Sequence, residues 1–243
     1  MTPTILITRP APSGAAFAKQ LKKVIGPAAK IVLSPVFEIE ACGALPDLSQ
    51  VRQLVFSSRH GVEAFARLSA RRDIPAYAVG EATAQAGRDI GLSVTACGGD
   101  ARQMRKRILA DALPGPFLHI RGEYTTGHLA RDLTFAGLET HEAVLYSQRA
   151  VGLTDQAKEC LQQKTPVILP LFSPRSARLA VSKVLVKAPL FVAAMSENVA
   201  QEIPPEIVRE VVVAREPTTI EMLHTVQGLF DIAKRLEGGN TAK

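Results

Sequence analysis

The chain repeats itself, with the shared residues lying just after apolar runs. Phe56-Ser57-Ser58-Arg59 returns 116 residues later as Phe172-Ser173-Pro174-Arg175. At the same offset Ala78-Val79-Gly80-Glu81-Ala82-Thr83-Ala84-Gln85 returns as Ala194-Met195-Ser196-Glu197-Asn198-Val199-Ala200-Gln201. With small insertions Ile5-Leu6-Ile7-Thr8-Arg9 matches Phe117-Leu118-His119-Ile120-Arg121, and Ala101-Arg102-Gln103-Met104 matches Thr219-Ile220-Glu221-Met222. A unit of roughly 115 residues is far longer than a solenoid repeat and large enough for its own core. The 243 residues therefore read as two similar domains facing one another, with any shared site between them.

Apolar, β-branched runs predict strands near residues 4–8, 30–34, 52–57, 75–79, 92–96, 116–121, 138–142, 166–172, 189–193 and 208–214. Helical periodicity fills stretches between them, such as 14–24, 61–68, 81–90, 100–109, 176–186 and 218–236. Alternating strands and helices make an α/β protein with parallel sheets covered on both faces. Two extended segments, about 34–40 and 142–149, are not followed at once by a helix and look like paired linkers. They predict a discontinuous lobe of residues 1–34 plus 150–243, an inserted lobe of residues 36–146, and five strands in each.

No apolar run is long enough to span a bilayer, and the chain enters Ile5-Leu6-Ile7 without the pattern of a signal peptide. A soluble, cytoplasmic protein is expected. Cys42, Cys97 and Cys160 are widely separated and lack metal-ligand spacing, so they are expected to be structural thiols. The net charge of +6 suits nucleic acid, anionic lipid or a polyanionic small molecule alike. With no Trp and three Tyr, a stacking platform for single strands is poorly supported. The densest basic stretch, Arg102 to Arg107, has the look of a solvated helix face. Dinucleotide, P-loop, zinc-protease and nucleophile-elbow motifs are missing, and none of the five histidines is assigned a catalytic role; His119 and His141 lie in or beside predicted strands, where packing explains them.

Parallel sheets place their chemistry at the carboxyl ends of the strands, beside helix N-termini. There the chain carries Arg9, Ser57, Ser58, Gly80, Arg121, Gly122, Ser173, Ser196 and Thr218. Small hydroxyls, glycines and arginines at helix starts suit carboxylates or phosphates. The same hydroxyls are ordinary helix N-caps, and Thr218-Thr219-Ile220-Glu221 has capping-box spacing. Both readings stand at this point.

Ile-Thr-Arg-Pro at 7–10, Phe-Ser-Ser-Arg-His-Gly-Val at 56–62, Val-Gly-Glu-Ala-Thr-Ala at 79–84, Arg-Gly at 121–122, Tyr146, Phe-Ser-Pro-Arg at 172–175 and Pro-Thr at 217–218 together resemble the uroporphyrinogen-III synthase family. The resemblance covers nearly the whole chain. Two departures are visible: His60 stands where the family often has Asn, and Ser196 with Val199 replaces the glycine and threonine of the first repeat. The resemblance implies two similar parallel-sheet, flavodoxin-like lobes joined by a two-stranded linker, no cofactor and no metal. It implies closure of the octacarboxylate hydroxymethylbilane to uroporphyrinogen III with inversion of the last pyrrole ring.

That reaction begins with departure of the terminal hydroxyl, passes through a spiro intermediate and ends in reclosure. Closure without inversion is the uncatalysed route, so geometry is the protein's main task. Tyr146 is the candidate for assisting hydroxide departure as an O–H donor. Thr83 resembles the family's cleft threonine, and Arg9, Ser57, Ser58, Gly80, Arg121, Gly122, Ser173, Ser196 and Thr218 are candidate substrate-binding positions. A monomer binding neither nucleic acid nor membrane is expected. The rival classes are a non-catalytic two-lobed receptor for a polyanionic small molecule and a nucleic-acid-binding regulator, the latter motivated by charge alone.

Overall fold

A computed structural model describes residues 2–125, 127–182 and 184–239. The chain divides into two compact units, Met1–Glu38 with Ala150–Lys243 and Ile39–Arg149. In the first unit β1 (Thr4–Ile7) leads to α1 (Ser13–Ile25) and β2 (Lys30–Leu33). β3 (Phe37–Ala41) carries the chain into the second unit, followed by β4 (Gln53–Phe56), α2 (Arg59–Leu68), β5 (Ala76–Ala78), α3 (Glu81–Asp89), β6 (Val94–Ala96), α4 (Ala101–Asp111), β7 (Phe117–Gly122) and α5 (Leu129–Phe135). β8 (Thr140–Ala150) returns it to the first unit for α6 (Asp155–Gln162), β9 (Val167–Leu171), α7 (Pro174–Val181), β10 (Leu190–Ala194), α8 (Glu197–Ala200), β11 (Glu210–Val213) and α9 (Thr219–Gly239).

The first unit holds a parallel sheet in the order β11-β10-β9-β1-β2. The second holds β3-β8-β7-β4-β5-β6, parallel from β8 to β6. With β3 set aside, the spatial orders β2-β1-β9-β10-β11 and β8-β7-β4-β5-β6 correspond strand for strand. The sequence repeat supplies that correspondence, matching β1 to β7, β9 to β4 and β10 to β5. The two units thus share one layout that the chain enters at different points.

All ten predicted strands form. The linkers differ from expectation, because an extended segment with unpaired backbone groups gains by joining a sheet edge. Residues 142–149 fuse with the predicted strand at 138–142 into the single long β8, and the segment at 34–40 becomes β3, a sixth strand beside it. Cys42 N–H donates to Leu145 O and Val151 N–H to Val36 O, so β3 runs antiparallel to β8. The helix predicted over 176–186 instead starts at Pro174 and ends at Val181; Lys183, inside that stretch, lies outside the described residues. Pro174 sets its start by occupying the first helical position, where a missing N–H costs nothing.

Alternation along the strands sends side chains to opposite faces. Leu54 and Phe56 of β4 pack with Val62, Phe65 and Ile120, while Val55 packs with Tyr77, Met104, Ile108, Phe117 and Leu133. The first unit packs Ile5 and Ile7 of β1 with Phe17 and Leu21 of α1 and Met222, Val226 and Leu229 of α9. Each fully buried Leu, Ile or Phe contributes roughly 1.5–3 kcal/mol. On α4, Met104 and Ile108 are buried one turn apart while Arg102, Arg105, Lys106 and Arg107 are exposed. The basic run is a solvated face, and Arg107 pairs with Asp111 at 2.8 Å.

Candidate functional site

In an open α/β sheet, ligands gather where strand order reverses. Here the reversals fall between β1 and β9 in the first unit and between β7 and β4 in the second. The loops after those strands carry Arg9 and Ser173 in one unit, and Ser57 and Ser58 in the other, with Arg121 and Gly122 closing β7.

The repeat aligns Ser173 with Ser57, yet the helix caps are Ser173 and Ser58. Ser173 Oγ accepts from Ser176 N–H at 3.2 Å and lies 2.7 Å from Ser176 Oγ. Ser58 Oγ accepts from Gly61 N–H at 3.3 Å. Because α2 begins one residue later than α7 in the alignment, Ser57 is released from capping. Its Oγ instead lies 3.1 Å from His119 Nε2.

His119 belongs to a row of polar groups. Its register partner on β8 is Glu142, whose Oε1 is 3.5 Å from His119 Nδ1. That separation is an electrostatic contact rather than an aligned hydrogen bond, and the buried Nδ1 has no hydrogen-bond partner among the described residues. Glu142 Oε2 accepts from Arg121 Nη2 at 2.9 Å, and Arg121 Nη1 donates to Gly122 O at 2.9 Å. Only 3% of His119 is exposed. Burial pushes its pKa down to about 4, with Glu142 pulling upward and Arg121 reinforcing the depression. The ring is therefore neutral near pH 7.

Tyr146 occupies the other side of Ser58. Its hydroxyl is 2.7 Å from Ser58 Oγ, and its ring lies edge-on to His60 with centroids 5.8 Å apart. Gly122 makes room for it: an alanine Cβ there would stand 2.5 Å from Tyr146 Cε2 and 2.6 Å from Cζ. Burial raises the Tyr146 pKa, while hydrogen bonds from Ser58 and the Gly122 backbone pull it back. The phenol is thus neutral and keeps a proton to give.

The other candidates are distributed around these centres. Arg9 places its guanidinium carbon 4.0 Å from the centroid of the Phe172 ring. Gly80 caps α3, its carbonyl accepting from Thr83 N–H at 3.1 Å and Ala84 N–H at 3.0 Å, and Gly99 Cα would be 3.2 Å from any Cβ at residue 80. Ser196 does the same for α8, accepting from Val199 N–H at 3.0 Å and Ala200 N–H at 3.1 Å through its carbonyl. Thr83 is buried at the position filled by buried Val199 in the first unit. Thr218 Oγ1 accepts from Glu221 N–H at 3.2 Å. The structure brings the sequence candidates Ser57, Ser58, Arg121, Gly122 and Tyr146 together, and with them His119, which the sequence reading ascribed to packing, and Glu142, which it did not single out. The available signal was a histidine in a buried strand at the position where the matching strand carries Ile7.

Among the described residues no group of three or more His, Cys, Asp or Glu side chains is arranged to hold a metal, the three thiols are free, and no helix is long and apolar enough to cross a membrane.

Two matched parallel sheets, with hydroxyl, amide and guanidinium donors at the points where strand order reverses, define a two-unit α/β protein. The family model for uroporphyrinogen-III synthase HemD matches residues 17–224. The chain belongs to the uroporphyrinogen-III synthase family, cyclising lyases of heme and tetrapyrrole biosynthesis. No curated protein matches it in sequence. Among solved structures, it is similar to the uroporphyrinogen-III synthetase of Helicobacter pylori, with a TM-score of 0.67, 18% identity, and 94% of this chain and 100% of that one covered. A mutant uroporphyrinogen III synthase from the extremely thermophilic bacterium Thermus thermophilus matches with a TM-score of 0.53 and 13% identity over 96% and 99% of the two chains. At these identities the likeness speaks to the fold.

Proposed function

We propose that the chain closes hydroxymethylbilane to uroporphyrinogen III, inverting the last pyrrole ring and releasing water, as a cytoplasmic monomer that uses no cofactor and binds neither nucleic acid nor membrane. The match over residues 17–224 carries this reading, because it takes in the strand-end loops of both units apart from the one that carries Arg9. The substrate's carboxylates find complementary groups at those loops. In the second unit these are Ser58, Gly80, Thr83, Arg121 and Gly122; in the first they are Arg9, Ser173, Ser196 and Thr218. Ser57, whose hydroxyl is engaged with His119, lies beside them and meets the reacting ring rather than a carboxylate. Arg121 is already paired with Glu142, so its contribution lies in orientation more than in uncompensated charge.

Tyr146 is the acid of the scheme. The phenol and Ser58 share one hydrogen bond, with 2.7 Å between their oxygens. With Ser58 O–H as the donor in it, the phenolic hydrogen is turned to the substrate's terminal hydroxyl. The C–O bond breaks, the hydroxide takes the phenolic proton and departs as water, and the pyrrole is left as the protonated azafulvene beside the phenolate, which regains its proton from solvent. Incubation of the protein with hydroxymethylbilane, followed by separation of the product isomers, tests the reading. A product dominated by the III isomer supports it. Dominance of the I isomer despite tight binding identifies a receptor, and affinity for nucleic acid falling steeply with salt identifies the third class.

A further inference from the structure

We propose that Ser57, His119 and Glu142 form the proton acceptor for the last step of ring closure, the loss of hydrogen from the free α-carbon of the inverted pyrrole ring. The inference rests on the ring-closing activity proposed above. Repeat architecture does not account for the three residues. The strand matching β7 carries buried Ile7 where β7 carries His119, and the serine matching Ser57 caps a helix, which Ser57 does not. A buried imidazole costs free energy unless its nitrogens are satisfied, so a second, polar role is the economical explanation of its place in an otherwise apolar strand.

Charge around the ring fixes its tautomer. Glu142 Oε1, an acceptor, faces Nδ1 at 3.5 Å and favours the hydrogen there. Nε2 then carries the lone pair, and Ser57 Oγ, 3.1 Å away, must donate to it. Ser57 therefore turns lone pairs outward. Such a hydroxyl is ill-suited to a carboxylate and well-suited to taking a proton. Ser57 is partly exposed, and it directly precedes Ser58, the partner of Tyr146, so donor and acceptor are held by consecutive residues.

The step balances. After reclosure the α-carbon bears both its original hydrogen and the new carbon–carbon bond. The C–H electron pair returns to the ring and restores the pyrrole; the proton passes to Ser57 Oγ as the serine's own proton passes to His119 Nε2. Glu142 opposes the resulting imidazolium, which passes its proton back through the partly exposed Ser57 hydroxyl to solvent once the product has moved away. A protonated pyrrole carbon is strongly acidic, so a weak base suffices, and the depressed pKa of His119 keeps that base unprotonated at neutral pH. Ser57 is the residue that touches substrate; His119 and Glu142 position and relay.

The test compares ordinary hydroxymethylbilane with substrate carrying deuterium on the free α-carbon of its last ring, using wild type, Ser57→Ala, His119→Gln and Glu142→Gln. Glutamine at 119 can still hold the Ser57 hydroxyl but is not basic. Expected are a turnover lower by roughly tenfold or more in Ser57→Ala and His119→Gln, and a primary isotope effect that emerges in both because proton loss has become limiting. Ser57→Ala removes one partly exposed oxygen and carries the test by itself should the His119 variant fail to fold. Wild-type rates in folded variants, or slower rates with no isotope effect, overturn the relay while leaving ring closure intact. A wild-type protein yielding no III isomer from either substrate overturns both.

Discussion

Tyr146 and Ser58, 88 residues apart in sequence, meet with their hydroxyl oxygens 2.7 Å apart. The same Ser58 oxygen caps α2 by accepting from Gly61 N–H, so one atom ties the start of a helix to the strand that leaves the second unit. The phenol is held in one orientation without being deprotonated, the condition a positioned acid requires.

Gly122 is where the arrangement is most sensitive. Gly122→Ala drives a methyl into the Tyr146 ring and should cost about 1–3 kcal/mol as an overpacking change, with activity falling as the phenol is displaced. Gly228→Ala, at an exposed position of α9 with nothing within 4 Å of the added carbon, should instead stabilise by about 1 kcal/mol and leave activity alone. Thermal melts and initial rates on the two variants check the contrast.

Ser58→Ala and Thr154→Ala separate capping from function. Thr154 caps α6, accepting from Ala157 N–H at 3.3 Å, and has no part in the proposed site. Each substitution should cost about 1 kcal/mol of stability. Only Ser58→Ala should also slow product formation, because only Ser58 holds Tyr146. Equal kinetics in the two folded variants would reduce Ser58 to a cap.

The strands were legible in the sequence because parallel strands covered on both faces must be continuously apolar, and β9 and β10 are buried along their whole lengths. Short helices such as α5 and α8 offered too few turns for a period to show. The strand-end hydroxyls were visible through the repeat, but the alignment alone paired Ser57 with Ser173 and could not reveal that Pro174 shifts the cap by one residue. His119 and Glu142 stayed hidden for another reason. They meet as register partners on adjacent parallel strands, and register between parallel strands joined through a helix is a tertiary property with no local sequence mark.

Buried neutral histidine gives stability a definite pH dependence. The folded pKa of His119 is about 4 against an ordinary histidine value of 6.5, so between those values the unfolded chain binds more protons and acid favours unfolding. His60, whose pKa is also lowered by burial, acts in the same sense. Stability should fall as pH drops from about 6.5 toward 4.5, by about 1 kcal/mol per pH unit for each fully shifted histidine. His119→Gln should flatten that slope. Melts of both proteins across this window decide the matter; identical slopes would mean that the pKa of His119 is not lowered in the fold.

The measurement bearing most directly on the site is the rate and isomer ratio for Tyr146→Phe beside wild type. The substitution removes one hydroxyl and little buried apolar area, so the fold should survive. A positioned acid contributes about 100- to 10,000-fold, and because the substrate's hydroxyl departs readily unaided, the predicted slowing is at or below the low end of that range. The III isomer should still predominate, since Tyr146 assists the elimination while the binding groups govern inversion. Full wild-type activity in a folded Tyr146→Phe protein would contradict the account and leave backbone donors and geometry to carry the reaction.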